Sequence, residues 1–312
     1  MPVFAYAEYT PEELCAIPWG DGVEQLKHKP AEVIPPDPDV IGSDYETDAG
    51  SGPSDAFVDK NENIIFYSFD NGQLKGFNNA GQVIFDFSYG APDYNSDIFT
   101  NQITGVYVDS LLRLYVADDG YSVSVVDYGG NVLEKLYPFA PDSTVHVSWI
   151  YPKYDGRLCF DSADRGLVTY SDGEFSPGCS AGFIAANGSY YSIWSYSLHS
   201  IKLNKYQNPD STGLAETREF IDIGFPNETI YETGIMSGGD GSKIYLAVTA
   251  DTTGFVEIWE LGLDYNLLNK MTYNAYSTEA VWGLTPFIHA NGNIYEFRCL
   301  EDGLHVFRWN RQ

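Results

Sequence analysis

The feature that most constrains this chain is a repeat. Six segments follow one order: a short strand, a turn rich in Asn, Asp and Gly, a strand of alternating aliphatic and aromatic residues, a second polar turn, and another strand. The clearest are PSDAFVDKNENIIFYSFDNGQLKGFNNAGQVIFDF, ITGVYVDSLLRLYVADDGYSVSVVDYGGNVLEKLY and WGLTPFIHANGNIYEFRCLEDGLHVFRW. Anchored on Ile64, Leu114, Leu158, Tyr190, Ile244 and Ile294, successive units step by 50, 44, 32, 54 and 50 residues. A period of about 40–50 residues with four short strands per unit is that of a propeller blade. One four-stranded sheet cannot bury both its faces alone. Six stacked around an axis can, and they leave only short outer edges exposed. No helical segment of about 10–15 residues separates the strands, which argues against a parallel α/β sheet. The expected fold is all-β, a six-bladed β-propeller over residues 53–312, preceded by residues 1–52, the whole forming a single domain.

The sixth unit is one strand short. HANGNIYEFRCLEDGLHVFRWNRQ, residues 289–312, opens two strands and ends, whereas the chain begins with the aromatic, β-prone MPVFAYAEY. Residues 2–9 are therefore expected to supply the outermost strand of the last blade and close the ring. Residues 32–34 are a second donor, interrupted by Pro30, Pro35 and Pro36. Residues 10–17 read as one short helix, with Thr10 as its cap, Pro11 at the first helical position and Glu13 at capping-box spacing. Residues 29–55 carry seven acidic side chains among Pro, Gly and Ser and read as a solvated loop.

The first unit resembles an NHL-type blade, in which Pro-x-x-hydrophobic-Val-Asp is followed by Gly-Asn-Ile-Tyr and then by a strand ending in Phe-Asp-x-x-Gly. Pro53, Val58-Asp59, Asn63-Ile64, Phe77 and Gly81 hold matching places. In the second unit Val108-Asp109, Leu114-Tyr115-Val116-Ala117-Asp118, Val126-Asp127 and Gly130 do so, and in the last Asn291-Gly292-Asn293-Ile294-Tyr295. The Arg that commonly begins the third strand of such blades is absent, with Gln73 and Ser122 in that region. The resemblance implies a six-bladed propeller of the bacterial secreted kind and no particular function. Propellers similar to these include protein-binding modules, RNA-binding modules and lyases.

Charge narrows the partners. Seventeen Lys and Arg stand against 44 Asp and Glu, a formal net charge of −27. Such a surface repels nucleic-acid phosphates and anionic headgroups, so neither nucleic acid nor membrane insertion is expected; cations, proteins and glycans remain. No apolar run reaches the ~18 residues of a membrane span, and no signal peptide is visible at the start. A monomer outside the cytoplasm or on a cell surface is expected.

Four cysteines occur, Cys15, Cys159, Cys179 and Cys299. With the closing strand at residues 2–9, Cys15 and Cys299 fall at one end of the last blade, and a bridge between them would lock the closure. Cys159 lies mid-strand, two strands from Cys179, roughly 9–10 Å away against a ~7 Å limit, and reads as a buried thiol. No C-x-x-C pair suggests structural zinc.

The turns between second and third strands are repeatedly acidic, with Asp70, Asp118, Asp119, Asp161, Asp164, Asp251, Glu301 and Asp302. In a propeller they line one rim, where carboxylates attract a basic partner or calcium. Asp-Gly and Asn-Gly are equally what tight hairpins need. His146, His199 and His289 are the histidines a channel lyase would have to use, while His28 and His305 read as structural. No Gly-x-Ser-x-Gly elbow or phosphate-cradling loop occurs. The leading expectation is a non-catalytic, extracytoplasmic binding propeller with an acidic loop face. The alternatives are a calcium-dependent hydrolase or lyase with its site in the axial channel, and a structural subunit of an extracellular or viral assembly.

Overall fold

The computed structural model describes residues 9–27, 32–34, 46–48, 52–68, 73–87, 103–117, 122–139, 147, 149–152, 157–162, 166–177, 183–197, 200–207, 214–221, 230–236, 240–250, 255–274, 284 and 286–311. All regular structure among them is β. The chain runs β1 (Tyr9–Pro18), β2 (Glu32–Ile34) and β3 (Glu46–Asp48). Then come β4 (Asp55–Val58), β5 (Ile64–Ser68), β6 (Gln73–Phe77) and β7 (Val83–Asp86), followed by β8 (Gly105–Val108), β9 (Leu114–Ala117), β10 (Val123–Val126) and β11 (Val132–Leu136). The third group is β12 (Trp149–Pro152), β13 (Leu158–Ser162), β14 (Gly166–Ser171) and β15 (Glu174–Pro177). The fourth is β16 (Phe183–Ile184), β17 (Tyr190–Ser197), β18 (Ser200–Tyr206) and β19 (Leu214–Ile221). The fifth is β20 (Ile230–Met236), β21 (Lys243–Ala250), β22 (Phe255–Gly262) and β23 (Leu267–Asn274). The last strands are β24 (Phe287–Ile288), β25 (Ile294–Leu300) and β26 (Gly303–Arg311).

Among the described residues these strands form six four-stranded antiparallel sheets and one ribbon, β2–β3. Each of the six sequence anchors falls at the first or second residue of a sheet's second strand. The second and third strands of the first sheet are buried on both faces because neighbouring sheets cover both its sides. In β5, Ile64 and Phe66 pack toward β25 and β26, while Ile65 and Tyr67 pack toward β8 and β9. The second sheet meets the third through Tyr115, Val123 and Phe160, the fourth meets the fifth through Tyr191, Leu203 and Leu246, and the fifth meets the last through Tyr245, Ile258 and Ile294.

The Asp residues of the Val-Asp pairs anchor turns. Asp59 Oδ1 accepts the backbone N–H groups of Asn61 and Asn63 at 2.8 and 2.9 Å, and Asp109 Oδ1 accepts those of Leu111 and Arg113 at 2.8 and 2.9 Å. The turn then needs a left-handed residue, taken by Gly188, Gly241 and Gly292 in later units but by Glu62 (φ 61°) and Leu112 (φ 63°) in the first two. Glu62 has a reason to stay, since its carboxylate pairs with Arg308.

The last sheet has the order β1-β26-β25-β24, so the beginning of the chain does complete it. The strand is not where the sequence put it. It spans Tyr9–Pro18, the stretch read as a helix; residues 2–9 lie outside the described residues except Tyr9 itself. Thr10, Pro11 and Glu13 carry a local helix-start signal, but the open edge of β26 offers nine register pairs, from Tyr9↔Arg311 to Pro18↔Gly303. Pro11 and Pro18 are tolerated because β1 is an edge strand, and Ile17 is buried against the first sheet. Residues 32–34 pair with β3 and form a ribbon within the acidic segment read as loop.

The residues after β1 fasten it to the first sheet as well. The Lys75 side chain is 2% exposed, and its Nζ donates to the carbonyls of Gly22, Val23 and Gln25 at 3.1, 3.1 and 2.8 Å while pairing with Asp86 at 3.1 Å. Gln73 Oε1 accepts the Lys27 N–H at 2.8 Å. Trp19 Nε1 donates to the Leu300 carbonyl at 2.7 Å.

The cysteine expectations are corrected. Cys15 and Cys299 are both free thiols. Cys15 lies opposite Val306 and Cys299 opposite Leu304, on strands flanking β26. Strands two apart are roughly 9–10 Å distant, beyond disulfide reach. Burial pushes the thiols up to about 11, where the Glu13 charge adds to it, and to about 12, so neither is reactive. Cys159, expected as a thiol, is disulfide-bonded; strand spacing limits only partners held within the ladder, and Cys179 lies outside the described residues. Among the described residues no helix is long and apolar enough to cross a membrane.

Two outcomes test this account. Lys75→Met should lower stability by about 3 kcal/mol, because Asp86 and three carbonyls lose a buried cationic donor; urea denaturation measures it. Ile17→Ala should cost about 2–4 kcal/mol as a core cavity, whereas a solvated helix at residues 10–17 would tolerate it.

Candidate functional site

Antiparallel connection puts the second–third turns and the starts of the first strands at one end of every sheet. At this end the structure describes few of the acidic residues the sequence singled out. Asp70, Asp118, Asp119, Asp164 and Asp251 lie outside the described residues. Asp161 is half-buried in β13, opposite Trp149 and Leu167. Glu301 and Asp302 are exposed on the β25–β26 turn, and Asp302 Oδ1 meets His305 Nε2 at 3.0 Å. The turn thus joins Glu301 and Asp302, while Asp161 belongs to another sheet. Among the described residues no three His, Cys, Asp or Glu side chains are arranged to hold a metal ion.

His289 is the described member of the three candidate channel histidines, and its chemistry is already spent. It begins the β24–β25 turn at the opposite end, 9% exposed. Its Nδ1 accepts the Asn291 N–H at 3.3 Å, which leaves Nε2 to donate to the Asp59 carbonyl at 3.1 Å. His28, His146 and His199 lie outside the described residues.

The residue that sequence reasoning left in the acidic loop is Asp55. It is the first residue of β4 and sits opposite Tyr67. Its Oδ1 accepts the adjacent Ala56 N–H at 2.8 Å. Burial pushes its carboxyl up to about 6, only partly offset by that N–H. Burial, then the charge of Asp55, raises the Tyr67 phenol. Tyr67 stacks on Phe57 with centroids 6.3 Å apart, and Phe57 meets Phe287 edge-on at 6.4 Å. Phe57 and Phe287 are on first strands and only partly buried. The surrounding backbone is tied down: Ser68 Oγ donates to the Gly52 carbonyl at 2.6 Å, and Thr104 Oγ1 to that of Val147 at 3.0 Å. The only sequence signal is the alternation of β4, which puts Asp55 on the face of Phe57 and opposite to that of the buried Ala56 and Val58.

A carboxylate beside partly open aromatic rings can bind an organic cation by charge and by the ring faces. A carboxyl titrating near neutrality can also carry a proton.

No protein-family profile and no curated protein matches the chain. Solved structures do. A luciferin-regenerating enzyme shares 11% identity over 97% of this chain and 95% of its own, with a TM-score of 0.50. A streptogramin B lyase shares 12% over 97% and 98%, with a TM-score of 0.47, and a gluconolactonase from Xanthomonas campestris 11% over 91% and 98%, with 0.48. The first of these is a β-propeller, and at 11% identity its likeness speaks to fold alone.

Asp55 makes a signed prediction. A carboxyl raised above its unfolded value loses folding free energy as pH rises from about 4 through about 6, since the unfolded chain releases its proton first. Asp55→Asn should therefore leave stability unchanged below about pH 4 and raise it above pH 6 by about 2–3 kcal/mol. Chemical denaturation across that range measures it.

Proposed function

We propose that this chain is a six-bladed β-propeller whose last blade is completed by its N-terminal strand, and that it works as a binding module for cationic groups. The ligand class is a protonated amine or guanidinium, such as a basic segment of a protein partner. One observation carries the reading: Asp55, a carboxyl drawn out of water, stands opposite Tyr67, and Tyr67 begins the Tyr67–Phe57–Phe287 aromatic run that links the first strands of neighbouring sheets. A net charge of −27 supports it by drawing cations toward the surface. Work outside the cytoplasm is supported by the disulfide at Cys159.

The test is calorimetric titration with a short Lys- and Arg-rich peptide and, separately, an alkylammonium ion. Binding should strengthen as pH rises through about 6, because the carboxylate is the binding form. Asp55→Asn should weaken it about tenfold and remove the pH dependence. Equal affinity for the variant, or affinity indifferent to pH, would end this reading. A hydrolase or lyase rests on the same carboxyl as a proton carrier; turnover of an ester or lactone by the wild type, lost in Asp55→Asn, would favour it instead.

A further inference from the structure

His305 stands at the seam between the beginning and the end of the chain. It lies on β26, with Ala16 opposite it on β1 and Arg298 opposite it on β25. Both ring nitrogens face carboxylates: Nδ1 is 2.7 Å from Glu13 Oε1, on β1, and Nε2 is 3.0 Å from Asp302 Oδ1, on the β25–β26 turn. The His305 side chain is 14% exposed, whereas Glu13 and Asp302 are 47% and 76% exposed, so the ring is held between two carboxylates that face solvent.

The chemistry of imidazole makes this arrangement two-valued. As imidazolium both nitrogens donate, and both carboxylates are satisfied. As neutral imidazole one nitrogen carries a lone pair, which then faces a carboxylate oxygen at hydrogen-bonding distance. One of the two contacts must break. The other charged groups nearby are already committed. Arg298 is held by Glu296 and lies over the Phe307 ring at 4.3 Å, and Arg308 joins Glu12 at 2.8 Å and Glu62. Glu301 is exposed on the same turn as Asp302. Neither guanidinium loses its proton in the range where a histidine titrates, so His305 is the group among these that changes near neutrality.

We propose that His305 is a pH-sensitive latch on the closing strand: as imidazolium it ties β1 to the β25–β26 turn, and on losing its proton it loosens β1 from the edge of β26. Burial opposes the charged ring, but the bonds to Asp302 and Glu13 outweigh it and hold the imidazole above its ordinary value. Asp302 is correspondingly held below the usual carboxylate range by the His305 bond. A folded value above the unfolded one contributes stability that is full below the ordinary histidine range and lost as pH rises through the raised value. The latch therefore holds in acid and weakens on the alkaline side. Loosening β1 uncovers a row of backbone donors and acceptors on β26 that can take another strand.

Hydrogen–deuterium exchange of the peptide spanning residues 9–18 tests this, from about pH 5.5 to about pH 8.5 with correction for intrinsic rates. Opening of β1 should rise severalfold across the range, while a peptide covering β11, an outer strand without histidine, stays flat. His305→Gln should open more readily at low pH and lose the rise. In the wild type the His305 Cε1–H resonance should titrate above the ordinary histidine value, and Glu13→Gln should shift it downward. This last pair needs no His305 variant to fold. Flat protection of β1 in the wild type, a rise retained in His305→Gln, or a resonance titrating at or below the ordinary value would each overturn the latch.

Discussion

The pairing of β1 with β26 is the constraint on which the other sheets depend. Nine register pairs join residues almost three hundred positions apart, and without them the last sheet would have three strands and an open edge. The contact does more than add a strand. Ile17, on β1, is buried in the same cluster as Phe66 and Phe77 of the first sheet and Phe297 and Val306 of the last. Immediately after it, Lys75 binds the backbone of residues 22–25 to the first sheet. One short stretch thus holds the last sheet together and fastens the first to it. The buried ammonium is tolerable because four oxygens replace its water.

Around that seam the structure repeats a single solution. Among the described residues the first, second, fifth and last sheets each bury side chains in two clusters shared with neighbours, so each is stabilised from both sides. The turns are nearly interchangeable, with an Asp or Asn folding the chain back and a left-handed residue completing it. In the first unit the left-handed place is taken by Glu62, whose carboxylate is held by Arg308. The residues shared with NHL-type blades, Asp59, Asp109 and Asp127, are these turn anchors. They account for a resemblance in fold without a shared activity.

The strand pattern was legible because alternation and turn chemistry are local: the six anchors land at the starts of six second strands. The first eighteen residues were misread for the same reason. Thr10-Pro11-Glu12-Glu13 states a local helix preference that an unpaired edge far along the chain overrides. The Cys15–Cys299 pairing erred through geometry that depended on that misplacement, since a closing strand at Tyr9–Pro18 sets the two on either side of β26, whereas Cys159 erred through a spacing that limits only partners within one ladder. Asp55 was obscured by composition: it is one of seven acidic residues in an extended stretch, and the alternation it shares with Phe57 does not say that it stands opposite Tyr67.

By itself the sequence determined the strands within the repeated units, their spacing and the chemistry of their turns, because each depends on residues within a few positions of one another. Which stretch completes the last sheet, which thiols stay free, which carboxyl loses its water and which histidine lies between two carboxylates were decided only in the tertiary structure. Those outcomes follow from strands brought together across hundreds of residues, where burial and register, rather than local preference, set the energy.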